Sequence, residues 1–172
     1  MKKINKILIG THNKGKFKEI SYLLPKRIKK ISPTKLNIKA PIETGKSFLA
    51  NSRLKANHFF KYSNMTSISD DSGLSINCLE GKPGIYSARW AKKYGGFKNA
   101  MKKIIKMVEK KNRNKKIKNT RAMFVCSLSI KSNKLKNTIS VVGKIYGNIS
   151  KKIIGNKGFG YDPIFIPKNH KI

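Results

Sequence analysis

Apolar residues recur at two spacings along this chain, and the changes between them mark out the elements. Ile4, Ile7, Leu8 and Ile9 form a short apolar run that predicts a strand over residues 3–10, beginning at Lys3. The polar turn Thr11-His12-Asn13-Lys14-Gly15-Lys16 follows at once. Phe17, Ile20, Leu23 and Leu24 then lie along one predicted helix face, which stops before Pro25 because that ring disfavours helical geometry in its predecessor. Residues 28–42 mix short apolar strokes with lysines, Pro33 and Pro41, a pattern that suits a second strand or an irregular connection. A broader helical face follows at Phe48, Leu49, Ser52, Leu54, Ala56 and Phe59, with Thr44 or Ser47 suited to cap its start.

Beyond it, Leu74 and Ile76 alternate with polar residues and predict a half-buried strand, with Asp70 and Asp71 at or just before its start. Gly81 to Gly84 turn the chain, and Phe97, Ala100, Met101, Ile104, Ile105 and Val108 predict a helix with ordinary core spacing. A basic loop over 110–119 leads into two strands, 121–130 and 139–149, with a turn at 133–136. Gly143 and Gly147 inside the second run indicate a bulge or a close approach of backbone. Cys78 and Trp90 fit packing better than recognition, and His58 has no second His or Cys at metal-ligand spacing.

The length of 172 residues suits one domain, or two small lobes sharing a sheet. A formal charge of +33 favours phosphate-rich partners through long-range attraction. The lysines, however, run from end to end among abundant Asn and Ile, as in a chain with a global compositional bias, and no nucleic-acid motif accompanies them. No apolar run is long enough to span a bilayer, and the start lacks the core of a signal peptide. Cys78 and Cys126 do not suggest a disulfide framework, so a cytoplasmic location is the expectation.

Five places carry candidate chemistry. The chain has seven acidic side chains, and Asp70 and Asp71 stand side by side. Adjacent carboxylates repel unless a cation, hydrogen bonds or a shared proton compensates, so the pair fits either a magnesium and water-activating corner or a turn capped by its own side chains. The turn from Thr11 to Lys16, between a strand and a helix N-terminus, offers backbone N–H groups and a lysine to an anion, or merely caps the helix. It is not a Walker loop, since the terminal Gly-Lys-Ser/Thr is absent. Asn51 and Lys55, one helical turn apart, either face a common cleft or are solvated. Tyr86-Ser87-Ala88-Arg89 suits a phosphate or base site, or a packed Tyr beside a surface salt bridge. In Gly158-Phe159-Gly160-Tyr161-Asp162-Pro163, the glycines let a ring or backbone approach a planar ligand, and Pro163 holds Asp162 out of the helical region so that its carboxylate can aim into a cleft. The other reading is a surface turn before a strand.

In order, these blocks resemble the family of inosine/xanthosine triphosphate pyrophosphatases, the non-canonical purine nucleoside triphosphate pyrophosphatases. The resemblance rests on Thr11 to Lys16, on Glu43-Thr44-Gly45-Lys46-Ser47-Phe48 leading to Asn51 and Lys55, on Ser69 to Leu74, on Pro83 to Arg89, and on Gly158 to Phe165. It covers nearly the whole chain. It implies an elongated, two-lobed α/β fold with a central mixed twisted sheet flanked by helices, a cleft between the lobes, and a homodimer. It also implies Mg²⁺-dependent hydrolysis of ITP, dITP or XTP to a monophosphate and pyrophosphate. Carried over, Asp71 is the proton acceptor and metal carboxylate, Asp70 supports it, and Ser72 contacts substrate. Thr11, Asn13 and Lys16 hold phosphates, His12, Lys14, Gly15, Asn51, Lys55 and Arg89 belong to the same substrate-binding set, and Phe159, Gly160, Tyr161 and Asp162 position the nucleoside.

Three departures accompany the resemblance. Ala50 stands where the family pattern has a metal-binding Glu, and Glu43, a couple of turns away, is not assigned that role. Ile154 replaces an Arg before the late glycine block. The sequence ends at Ile172, and His170-Lys171 does not reproduce the family's Lys and Ser-His-Arg segment, so the expectation is one domain missing its C-terminal part. Two other functions stand beside the leading one: a pyrophosphatase for another modified or pyrimidine nucleotide, and a basic nucleotide- or RNA-binding protein that keeps the cleft without the chemistry.

Overall fold

The computed structural model describes residues 4–155 and 158–170; Lys3, Lys171 and Ile172, named above, lie outside the described residues. Six strands form one sheet in the order β2-β1-β3-β4-β5-β6. They are β1 (Lys6–Ile9), β2 (Lys29–Ile31), β3 (Ser67–Ile76), β4 (Arg121–Lys131), β5 (Ile139–Ile149) and β6 (Phe165–Pro167). β1 runs parallel to β2 and β3, with Leu8 level with Ile31 on one side and Ser67 on the other, whereas β5 and β6 are antiparallel. The sheet is therefore mixed, and the fold is α/β as the sequence expects. The chain divides into two compact units, Met1–Asp71 with Cys126–Val142, and Ser72–Val125 with Gly143–Ile172.

In the first unit the chain runs β1, α1 (Lys14–Leu23), β2, α2 (Phe48–Ser63), β3. β2 and β3 flank β1 and both run parallel to it, so right-handed crossovers send α1 and α2 to opposite faces of the sheet. Strand alternation then gives the two faces different chemistry. Under α1 the packing is apolar: Ile7, Ile9 and Ile20 are buried with Phe17, Ile68 and Leu128 against them. Leu23 departs from its expected place and is 72% exposed, because one residue of helix turns it well away from the Phe17–Ile20–Leu24 stripe. Under α2 the layer mixes buried hydroxyls with Ala56 and Phe59. Ser52 donates to the Leu49 carbonyl and meets Ser127 at 2.9 Å and Ser129 at 2.7 Å, all three buried. Ser69 is buried beside Gly10 and Phe59, and a Cβ on Gly10 would strike both. Ser47, one of the two candidate caps, caps α2 by accepting the Ala50 N–H.

β3 corrects the expected position of the acidic pair. The strand starts at Ser67, so Asp70 and Asp71 lie inside it and not in a turn before it. Its neighbours β1 and β4 hold it extended, which overrides the turn propensity of Asp-Asp-Ser-Gly.

The second unit is built on α4 (Phe97–Asn112), whose Ala100, Met101, Ile104, Ile105 and Val108 pack with Leu74, Ile76, Ile149, Tyr161 and Ile164. Cys78 and Trp90 pack against this cluster. A single 3-10 turn, Gly84–Tyr86, leads into α3 (Ser87–Lys93) and crosses close to β3 at Gly73. There a Cβ would strike the Gly84 carbonyl and the Ser87 hydroxyl. That hydroxyl accepts the Leu74 N–H at 3.0 Å and donates to the Gly84 carbonyl at 2.7 Å. Of the two glycines singled out in β5, Gly147 lies against the Ile166 carbonyl, while Gly143 faces open space. No helix among the described residues is long and apolar enough to cross a membrane.

Candidate active site

β1 ends at Ile9, and the neighbouring β3 runs on past it. A parallel strand flanked on both sides by crossovers leaves a crevice at its carboxyl end. The Thr11–Lys16 turn occupies that end. Asn13 caps α1 by accepting the Lys16 N–H at 3.2 Å, and the Thr11 hydroxyl accepts the Asn13 N–H at 3.2 Å. The turn is therefore a capped helix start, and its Lys14 is exposed. A cavity of about 520 Å³ opens between this turn and Lys30, Ser32, Thr34 and Lys35. His12, expected with the phosphate-binding turn, spends its Nε2 on the Ile38 carbonyl at 3.0 Å.

Consecutive strand residues point to opposite faces, so the two aspartates do not share one corner. Asp70 falls on the α1 face, where Lys16 Nζ meets its Oδ2 at 2.6 Å. Asp71 falls on the α2 face, where Asn51 Nδ2 donates to Oδ2 at 3.2 Å and Lys55 Nζ to Oδ1 at 3.3 Å. Asn51 is fully buried and the Lys55 side chain is only 12% exposed, so the solvated alternative for these two residues does not hold. Their one-turn spacing on α2 brings both onto the same carboxylate.

Glu43 completes the cluster. Its Oε1 lies 2.7 Å from Lys55 Nζ, so one ammonium bridges Glu43 and Asp71. The loop returns Glu43 to α2 through Gly45, whose N–H donates to Asn51 Oδ1 at 2.8 Å. A Cβ on Gly45 would strike that same oxygen, so the close approach requires glycine. Sequence reasoning left Glu43 without a role and looked to position 50. Ala50 is exposed on the first turn of α2, and Glu43 is the carboxylate that the fold brings to Asp71.

Burial pushes the Asp71 carboxyl above its ordinary range, by more than Lys55 draws it down; the negative charge of Glu43 adds to the rise. Burial alone would lower Lys55, but Asp71 and Glu43 together hold it above its ordinary value. The result is a charged lysine between two carboxylates, one of which binds its proton more readily than a solvated aspartate.

The other expected site residues belong to the second unit. Ser72 is half-buried in β3. Arg89 is exposed, with its guanidinium 5.0 Å from the centroid of the Tyr86 ring. Phe159 exposes part of its ring and meets Phe97 edge-on at 5.5 Å, and Phe97 also meets Tyr161 at 5.2 Å. Tyr161 is 2% exposed, its hydroxyl donates to the Ser87 carbonyl at 2.9 Å, and burial pushes it up to about 12. Its side chain is thus a packing element, leaving Phe159 as the ring that faces solvent. Asp162 turns Oδ2 back onto the Phe159 N–H at 2.7 Å and so fixes the glycine-flanked turn. Gly158 and Gly160 both take positive φ, as that turn requires.

Among the described residues no group of three or more His, Cys, Asp or Glu forms a ready-made metal cage. Glu43 and Asp71 are hard oxygen donors joined by one lysine, a set that fits a cation which keeps most of its waters or takes phosphate oxygens.

The Ham1 family model matches residues 7–172. A dITP/XTP pyrophosphatase of Zymomonas mobilis subsp. mobilis is 36% identical over 169 residues, covering 96% of this chain and 78% of its own. One of Caulobacter vibrioides is 37% identical over 169 residues, covering 97% and 84%. Among solved structures, a HAM1 protein from Coxiella burnetii superposes with a TM-score of 0.81 at 30% identity, covering 93% of this chain and 80% of that one. A nucleoside-triphosphatase, or dITP/XTP pyrophosphatase, from Mycobacterium abscessus gives 0.77 at 30% identity, covering 96% and 85%.

Proposed function

The chain belongs to the Ham1 family, and on that premise we propose that it is a hydrolase that cleaves non-canonical purine nucleoside triphosphates, ITP, dITP or XTP, to the monophosphate and pyrophosphate. The reading is carried by Asp71: a buried carboxylate held by Asn51 and Lys55, with Glu43 on the same lysine, at the carboxyl end of β1. Asp71 takes the proton from the water that attacks the α-phosphorus. Its raised affinity for a proton suits a base that works near neutral pH better than a solvated aspartate would. The bond that breaks joins the α-phosphorus to the oxygen bridging it to the β-phosphorus. The leaving pyrophosphate is held by N–H groups of the Thr11–Lys16 turn and by the charges of Lys14 and Lys16.

Asp71 and Glu43 hold Mg²⁺, a choice that rests on their all-oxygen donor set. When bound, Mg²⁺ neutralises phosphate charge and makes the phosphorus easier to attack. Lys55 keeps the two carboxylates from repelling each other and supplies a charge to the phosphate chain. Lys16 neutralises Asp70 and fixes the first turn of α1 against β3. Phe159 offers the purine a ring face, with Phe97 braced behind it. The setting is the cytoplasmic nucleotide pool.

The experiment is a pyrophosphate-release assay over ITP, dITP, XTP, ATP, GTP and UTP, with Mg²⁺ and with a chelator. Release from the inosine and xanthosine substrates, lost on chelation, is the expected result. Turnover confined to UTP would transfer the chain to a pyrimidine-directed reading, and tight, salt-sensitive binding without turnover would make it a binding protein.

The same reading includes a homodimer. β5 leaves Ile139, Val141 and Val142 exposed in the first unit, and Ile145 and Tyr146 in the second, apolar area of the kind a second copy covers. Sedimentation equilibrium is expected to give twice the 19.5 kDa chain mass. A monomer at micromolar concentration would reject that part of the reading.

A further inference from the structure

Two imidazoles grip consecutive carbonyls of one segment. His12, in the turn after β1, donates from Nε2 to the Ile38 carbonyl at 3.0 Å, and His58, in α2, donates from Nε2 to the Lys39 carbonyl at 2.9 Å. A carbonyl only accepts, so each bond fixes a hydrogen on Nε2. Both rings are seated on Phe59, with centroids 6.0 Å and 5.2 Å from it, and Phe59 is itself buried. The Ile38 N–H bonds to the Pro33 carbonyl, so the peptide groups on both sides of Ile38 are fixed.

Four residues beyond Lys39 comes Glu43, whose carboxylate reaches Lys55, and two residues later Gly45 is caught by Asn51. Residues 38–45 form neither helix nor strand, so no ladder of hydrogen bonds sets their path. The direction in which the chain leaves Lys39 therefore decides where the Glu43 carboxylate arrives.

We infer that His12 and His58 are positioning residues for Glu43: by clasping the Ile38 and Lys39 carbonyls they aim the loop so that Glu43 stands with Asp71 to take a divalent cation. The inference rests on the metal reading given under Proposed function. It also makes His12 a mechanical tie between the turn that receives phosphates and the loop that carries a metal carboxylate.

The test titrates Mn²⁺ into the full chain without nucleotide and reads binding by electron paramagnetic resonance. Phe at position 12 or 58 keeps a ring against Phe59 and removes only the donor. The combined His12→Phe/His58→Phe variant is expected to bind Mn²⁺ about tenfold more weakly, the size of loss typical of groups that orient metal ligands. Glu43→Ala is expected to lose at least as much, and adding the histidine changes to it is expected to cost nothing further. Gln at both positions, whose amide still donates, recovers most of the affinity. Wild-type Mn²⁺ binding in the Phe variants, with a clear loss in Glu43→Ala, overturns the clasp and leaves the metal reading standing. A histidine effect that adds in full to Glu43→Ala also overturns it, since the clasp would then act elsewhere in the fold. If Glu43→Ala itself binds Mn²⁺ like wild type, the metal reading falls and takes this inference with it.

Discussion

Asp71→Asn lowers kcat about a thousandfold, within the range that a positioned general base supplies. The substitution keeps the shape of the side chain and its contact with Asn51 while removing the proton acceptor, so substrate binding is expected to change far less than turnover. The acid side of the pH profile gives an independent readout. Burial raises the Asp71 carboxyl of the metal-free chain, and the base works only when ionised, so at limiting Mg²⁺ wild-type kcat/KM falls with decreasing pH at a higher pH than an ordinary carboxylate would give. Stability runs the other way. A carboxyl whose folded value is raised contributes stability while protonated and loses it as pH rises through that folded value. At neutral pH without metal, Asp71→Asn is therefore expected to melt no lower than wild type. Turnover of the Asn variant within tenfold of wild type, or an unchanged acid limb, would remove Asp71 from the role of base.

Gly73→Ala destabilises the chain by about 2 kcal/mol, the scale of overpacking a filled site. The added methyl meets the Gly84 carbonyl and the Ser87 hydroxyl, and that hydroxyl is already engaged with the Leu74 N–H and the Gly84 carbonyl. Backbone has little room to yield there, so either β3 bends or the 3-10 turn lifts. Calorimetry is expected to show a fall in Tm of roughly 6 °C, from the usual scaling for a chain of this size. A melt unchanged within a degree would mean that the turn over Gly73 is loosely held.

What was legible in the sequence follows from what local patterns can encode. β5 emerges at its predicted bounds of 139–149, and Ser47 is one of the two caps proposed for α2, because strand alternation and cap chemistry are local. Leu23 is apolar but falls off the helix stripe, a distinction that Leu24 alone decides. The acidic pair was conspicuous and the strand after it was expected, yet turn-forming residues hid that the strand already starts at Ser67, an extension imposed by β1 and β4. Glu43 was the harder case. It lies in a loop, and its partner Asp71 is distant in sequence, so no spacing rule connects them. One signal was available: between Glu19 and Asp70, Glu43 is the only acid in a chain with seven. His12 likewise read as part of an anion-binding turn, because a hydrogen bond to the Ile38 carbonyl depends on a tertiary approach that no motif records.

The alternation of β3 has a consequence for how this centre tolerates change. Two identical side chains, one residue apart, answer to different helices: Asp70 to α1 through Lys16, Asp71 to α2 through Asn51 and Lys55. Their identities come from parity alone, so deleting a single residue ahead of Asp70 would make the aspartates trade addresses and would drive Ile68 in among the serines. Point substitution can drift through this strand at many positions, whereas its length is counted.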